Sequence, residues 1–226
     1  MKHLSTLFIA AALLVGLTGC LREDSENVNQ DRIWAHYELF YDGNEDITYA
    51  RTTFRFGNGL GTKLELTEPS TVSFDGVQMP FRPALGYYET SLAGFVDNGT
   101  FVFTDMDGNS FVNDATIRAI EHPMNVPTLV HGQSVAYGWQ GDAVASGETV
   151  TLIITGGNSG GTQTFTTSAI GATQLVLPMN QVNQLSTGTG DALIERTFAP
   201  EVQQATSAGG LIWGRYRAVN VPVTIE

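Results

Sequence analysis

Cysteine is almost missing from this chain. Cys20 is the only one, so no intrachain disulfide can form and no multi-cysteine metal site can be assembled. Basic residues are scarce as well, with eleven Lys and Arg against twenty-three Asp and Glu. A nucleic-acid partner needs a basic patch to meet phosphates, and the overall charge disfavours both that partner and anionic lipid headgroups. After residue 20 no stretch is apolar for the roughly 20 residues that a membrane-spanning helix requires. Nor does any stretch sustain the 3.6-residue apolar period of a surface helix; the best candidate, Asn180–Leu185, is a turn or two at most. Phosphate-binding loops and the His/Cys spacings of metal sites are also lacking.

What is present begins with an address. Lys2 precedes an unbroken apolar run from Leu7 to Val15, too short to span a bilayer and of the length of a secretory signal core. The run closes on Leu17-Thr18-Gly19-Cys20. These four residues resemble the signal end of the bacterial lipoprotein family. The resemblance implies that residues 1–19 are a cleaved signal peptide, that Cys20 carries diacylglycerol, and that the mature chain is a lipoprotein such as those of the outer membrane. Two or more acyl chains, at about 0.8 kcal/mol for each buried methylene, hold a protein on a membrane without a spanning segment. Losing Lys2 leaves ten basic and twenty-three acidic residues, a net −13. The order Cys20-Leu21-Arg22-Glu23-Asp24 further resembles the basic-then-acidic tag that sends some Bacteroidetes lipoproteins to the cell exterior, with Arg22 where Lys is usual. Residues 20–30 are otherwise polar and aperiodic, and read as a lipidated flexible tether.

From residue 31 onward the period is two. Leu64 and Leu66, Val72 and Phe74, Phe101 and Phe103, and Val150, Leu152 and Ile154 each alternate with polar neighbours, the pattern of strands with one buried and one wet face. Asp75-Gly76 and Asp107-Gly108 are hairpin-turn dipeptides, whose two central residues are expected at positive φ. Pro123 and Pro127 mark an extended connector. The expected fold is therefore all-β, with a first sandwich over 31–122 and a second over 123–226. This layout resembles tandem immunoglobulin-like domains, and each half ends in a long hairpin; a single larger sandwich or barrel is the alternative.

Several constellations invite a chemical reading. Gly157-Asn158-Ser159-Gly160-Gly161 resembles the nucleophile loop of trypsin-like proteases, but His36, His122 and His131 stand in the wrong contexts, and the loop joins two alternating strands as a plain hairpin connection. Asp105, Asp107 and Asn109 form the oxygen-rich part of a candidate calcium loop if the acidic segment Asp42–Asp46 converges on it; the alternative is a tight turn. Tyr87 and Tyr88 are the candidate ligand-binding aromatics, one of the two expected to be wet because neighbours on a strand point to opposite faces, whereas Trp139 shares a core stripe with Val135 and Tyr137. Arg215 and Arg217 share a face with Trp213 next to Glu195, which cross-strand ion pairing or an arginine over indole explains.

No catalytic set emerges, so the expected role is a non-catalytic binding, adhesion or scaffold protein of the cell envelope. Its expected partners are the membrane, through Cys20, and another envelope protein or a glycan. A calcium-dependent adhesion module and a hydrolase built from loop carboxylates are the alternatives.

Overall fold

The computed structural model describes residues 22–226; Cys20 and the expected signal lie outside the described residues. In chain order the strands are β1 (Arg22–Asp24), β2 (Ile33–Asp42), β3 (Ile47–Phe56), β4 (Lys63–Glu65), β5 (Thr71–Phe74), β6 (Val77–Gln78), β7 (Phe81–Arg82), β8 (Tyr87–Ala93), β9 (Asn98–Thr104) and β10 (Ser110–Thr116). They continue as β11 (Val135–Gly138), β12 (Glu148–Thr155), β13 (Thr162–Thr167), β14 (Gln174–Leu177), β15 (Gly188–Phe198), β16 (Gly210–Arg217) and β17 (Val221–Ile225). One four-residue helix, α1 (Met179–Val182), overlaps the start of the Asn180–Leu185 stretch expected to make a turn or two. The protein is all-β, with several sheets arranged as a sandwich.

One layer is an eleven-stranded sheet whose main path runs β1-β4-β3-β2-β16-β15-β12-β13. Strand β8 continues the edge of β3 and carries β7, and β17 pairs with the first half of β15. The path crosses the connector around Pro123 and Pro127. Strand β2 from the first half pairs in parallel with β16 from the second, from Ala35↔Gly210 to Asp42↔Arg217. The facing layer is made of two smaller sheets, β10-β9-β5-β6 and β11-β14. The run Leu211–Ile225 is two strands interrupted at residues 218–220, and β17 continues in the direction of β16, antiparallel to the first half of β15.

Alternation decides which face is inside. On β2, Ile33, Ala35, Tyr37 and Leu39 are buried and meet Phe101 and Phe103 of β9, with the Tyr37 and Phe101 rings 5.3 Å apart and Phe54 and Phe103 4.6 Å apart. In the second half Val150, Leu152, Ile154, Ile194, Leu175 and Leu177 continue the same core without a break. Each fully buried Leu, Ile or Phe contributes roughly 1.5–3 kcal/mol, so this inner layer is the main source of stability. A buried charge cluster lies at its edge. Glu148 is wholly covered, 3.7 Å from Arg196 and 3.0 Å from Arg118, and Arg196 is only 1% exposed.

Two expectations are corrected. The tether does not extend through residue 30, because residues 22–30 are packed against the sheet. Arg22 is ion-paired with Glu65 at 3.1 Å and lies over Phe81, while the buried Ser25 hydroxyl accepts the Thr67 N–H at 2.8 Å. Gln30 donates to the Ser25 carbonyl at 2.7 Å and fastens the segment from its far side. Polar residues read as a linker are thus spent on side chain-to-backbone bonds. At the hairpin turns, Asp75 and Gly76 both take positive φ (48° and 77°), but of the second pair only Gly108 does, at 82°.

Candidate functional site

The second turn is organised by Asp105. This carboxylate is 2% exposed and accepts the Asp107 N–H at 2.9 Å, the Asn109 N–H at 2.8 Å and the Asn109 side-chain amide at 3.0 Å. It acts as the cap of the β9–β10 turn, and both of its oxygens are used. The turn lies beside Gln30, before β2 begins, while Asp42 lies at the other end of that ten-residue strand, about 30 Å away. The acidic segment and the turn therefore do not converge. Asp42 instead caps Asn44 and pairs with Arg217 at 3.1 Å. Among the described residues no group of three or more His, Cys, Asp or Glu is placed to hold a metal ion.

The glycine-rich loop 157–161 is a hairpin connection between β12 and β13. A Cβ on Gly157 would stand 2.2 Å from the Thr187 carbonyl oxygen, and one on Gly161 would stand 2.3 Å from that of Gln184. Glycine is required because the loop lies backbone to backbone on the segment before β15, not because a nucleophile needs an elbow.

Of the two tyrosines, Tyr88 points inward. It packs on Phe54 and Phe81, and its oxygen accepts the Leu66 N–H at 2.7 Å. Burial pushes its pKa up to about 12. Tyr87 lies on the outer face of the large sheet with the Arg51 guanidinium 5.6 Å from its ring, and burial raises its pKa as well. Trp139 is buried, its indole N–H donating to the Asp142 carbonyl.

The outer face around Tyr87 is the densest gathering of functional side chains in the described residues. Phe40 sits at its centre, 5% exposed although it points away from the core. Three guanidiniums cover it: Arg215 at 4.7 Å from the ring centroid, Arg217 at 5.0 Å and Arg51 at 5.6 Å. Each guanidinium is held in turn by carboxylates. Arg51 pairs with Glu89 at 2.8 Å and Glu38 at 3.7 Å; Arg215 pairs with Glu38 and, at 2.9 Å, with Glu195; Arg217 pairs with Glu195 at 3.2 Å and Asp42 at 3.1 Å. The arginines come from β3 and β16 and the carboxylates from β8, β2 and β15, so the network ties five adjacent strands about 19 Å across.

Aromatic rings flank the network. Tyr49 lies on one side, 4.4 Å below Arg51 and stacked on Phe40 at 6.3 Å, and Glu45 accepts its hydroxyl and pushes its pKa up to about 12. Toward the start of β2 stand Trp34, His36 and Trp213, with the His36 ring edge-on to Trp213 at 4.5 Å. Burial lowers the His36 pKa. Three arginines against four carboxylates make the face nearly neutral. It presents fixed donors and acceptors between half-exposed rings, and the threonines of β12 and β13 extend the polar surface. Ion pairs this open to water add little stability singly, but as a joined network on a packed ring they hold their geometry.

The sequence pointed to Arg215, Arg217, Trp213 and Glu195 as a group, and the ion pairing expected of them is present; the ring beneath the guanidiniums is Phe40 rather than indole. It did not point to Phe40, Glu38, Arg51 or Glu89. A signal existed in β2, where Trp34, His36, Glu38, Phe40 and Asp42 occupy every second position. The neighbour that completes their face is β16, some 175 residues away, and alternation does not identify it.

No protein-family model matches the chain, and no curated protein matches it. Among the solved structures that match it are two that cover most of the chain. One comes from work on host cell surface retention of a 1.5-MDa bacterial ice-binding adhesin, with 14% identity, 88% of this chain and 66% of that chain covered, and a TM-score of 0.25. The other is SGBP-B of the Bacteroides ovatus mixed-linkage glucan utilization locus in complex with a mixed-linkage heptasaccharide, with 11% identity, 91% and 65% covered, and a TM-score of 0.20. The chain spans about two thirds of the length of each matched chain. At such TM-scores the likeness decides neither fold nor function.

Proposed function

We propose that the protein is a non-catalytic binding lipoprotein of the bacterial cell envelope, held in the outer membrane by acyl chains on Cys20, and that it takes a glycan on the outer face centred on Phe40. On this reading its two halves are immunoglobulin-like sandwiches fused edge to edge through β2 and β16.

The observation that carries the proposal is the internally neutralised network between half-exposed rings. Sugars offer apolar C–H faces to aromatic rings and hydroxyls to bidentate carboxylates and guanidiniums, and need no net charge to be held. A phosphate ligand would want an unpaired cation cluster, whereas Arg51, Arg215 and Arg217 are all paired. The same pairing supports a non-catalytic role, since Glu38, Asp42, Glu89 and Glu195 are each held by an arginine rather than free to act as acid or nucleophile.

The test is a panel of soluble polysaccharides run in affinity gels with the purified chain from Glu23 onward, with the recovered glycans sized for cleavage. Retardation by one glycan class, relieved in Tyr49→Ala and Trp213→Ala, with the glycan intact, is the expected result. Shortened glycan chains would establish the hydrolase alternative instead, and retardation unaffected by both substitutions would place the ligand elsewhere.

A further inference from the structure

The charge of the whole chain argues against anionic surfaces, yet its cations are not evenly placed. Of the ten Lys and Arg beyond the signal, Arg51, Arg118, Arg196, Arg215 and Arg217 are locked into ion pairs elsewhere on the sheet. The other five, Arg22, Arg32, Arg55, Lys63 and Arg82, gather at one end of the large sheet, where Arg22 pairs with Glu65 at 3.1 Å, Arg82 lies 3.8 Å from Glu89 and Asp31 stands beside Arg32. Lys63 is the strand partner of both Arg22 and Arg55, and its ammonium donates to the Leu85 carbonyl at 3.2 Å; Arg22 donates to the Pro83 carbonyl at 3.2 Å; and the Gly57 N–H donates to the Arg32 carbonyl at 2.7 Å.

Two hairpin tips project from this end, residues 56–62 and 83–86, and neither contains a carboxylate. Leu60 at the first tip is 97% exposed, Leu85 at the second is 52% exposed, and Phe56 beside them is 40% exposed. Glu65 is engaged by Arg22. Glu23 and Asp24 follow along β1, in the direction away from the tips. Beyond the opposite end of β2 the loop residues Glu45, Asp46 and Asp97 are acidic.

The described part of the chain begins at this same cationic, apolar end. Strand β1 is parallel to β4, so its first residue lies beside the first residue of β4, next to the Leu60 hairpin. Cys20 is two residues before Arg22, and two trans peptide steps reach at most about 7.6 Å. A flexible tether of ten residues would instead place the anchor about 17 Å away on average.

From these observations we infer that the hairpin tips carrying Leu60 and Leu85, with Arg22, Arg32, Arg55, Lys63 and Arg82 around them, form a docking surface that sits in the headgroup layer of the same bilayer that takes the acyl chains. The inference rests on the reading of Cys20 as acylated. Exposed leucines enter the interface, the cations meet lipid phosphates, and the acidic far end faces away. The protein is thereby held at a fixed angle, with the strands of the ligand face running outward from the membrane.

The test uses the full acylated chain, purified from a bacterial host and reconstituted in vesicles of phosphatidylethanolamine and phosphatidylglycerol. Cys20 is the only native thiol and acylation occupies it, so Leu60→Cys, Leu85→Cys and Val219→Cys can each be labelled uniquely with an environment-sensitive fluorophore. Val219 is 55% exposed next to Asn220, which the acidic-end residue Asn44 contacts. Quenching by headgroup-proximal nitroxide lipids at positions 60 and 85, with none at 219, is expected. Vesicle-bound protein with none of the three probes quenched overturns the docking surface and leaves the anchor intact. Protein that carries no acyl chain and does not float with the vesicles overturns both.

Discussion

Removing the carboxylate of Glu148 isolates the most buried charge in the molecule. Its side chain is wholly covered, and it faces Arg196, which is 1% exposed and otherwise bonds only the Asp142 carbonyl, with Nε unpartnered. It also accepts the Ala145 N–H at 2.9 Å. Glu148→Ala leaves a guanidinium uncompensated in the interior, a loss of about 3–5 kcal/mol. Arg118, 3.0 Å from the same carboxylate, is 42% exposed, so Arg118→Ala is expected to cost no more than about 1 kcal/mol. Urea unfolding followed by tryptophan fluorescence reads both. With a slope of about 2 kcal/mol per molar urea, Glu148→Ala should lower the midpoint by about 1.5–2.5 M and Arg118→Ala by under about 0.5 M. The double variant Glu148→Leu/Arg196→Met, which removes both charges, should recover most of the loss. A Glu148→Ala midpoint within about 0.5 M of the parent would refute the claim that this pair is a dry structural contact.

Three further outcomes follow from the same geometry. His122 is buried with Nδ1 2.7 Å from the Tyr137 hydroxyl and Nε2 unpartnered, and burial pushes its pKa down to about 4. The folded state keeps it neutral while the unfolded chain takes a proton below about pH 6.5. Stability should therefore be full above pH 6.5 and fall by a few kcal/mol toward pH 4, with a flatter urea-midpoint profile in His122→Gln. Tyr88→Phe should cost about 1 kcal/mol by orphaning the Leu66 N–H and leave glycan retardation unchanged, since that ring is inside. Asp105→Ala should lower the melting temperature by loosening the Asp107 and Asn109 contacts, and calcium against a chelator should shift neither protein; a calcium-dependent rise in the parent would restore the metal site.

Local pattern made much of the fold legible. The period-two runs at residues 72–74, 101–103 and 150–154 became strands, Leu64 but not Leu66 fell in the short β4, Asp75-Gly76 became its expected turn, and the layer they form is all-β. What alternation does not encode is which strand lies beside which. The parallel pairing of β2 with β16 joins residues such as Asp42 and Arg217, and only that pairing assembles the Phe40 face. The ordered start was hidden for a different reason: Arg22, Ser25 and Gln30 look like linker composition, and their partners Glu65, Thr67 and the Ser25 carbonyl are not implied by it. Tyr87 and Tyr88 were separable in principle, because adjacent strand residues must diverge, but which of them faced out depended on the register of β8 against β3.

The central claim, that a neutral glycan is held on the outer face by rings and paired charges, is tested most directly by calorimetric titration of the retained glycan at low and high salt into the parent chain, Trp213→Ala and Tyr49→Ala. The account predicts an affinity nearly independent of salt and reduced about tenfold or more by either ring removal. Affinity that collapses with salt, or that survives the loss of both rings, would contradict it.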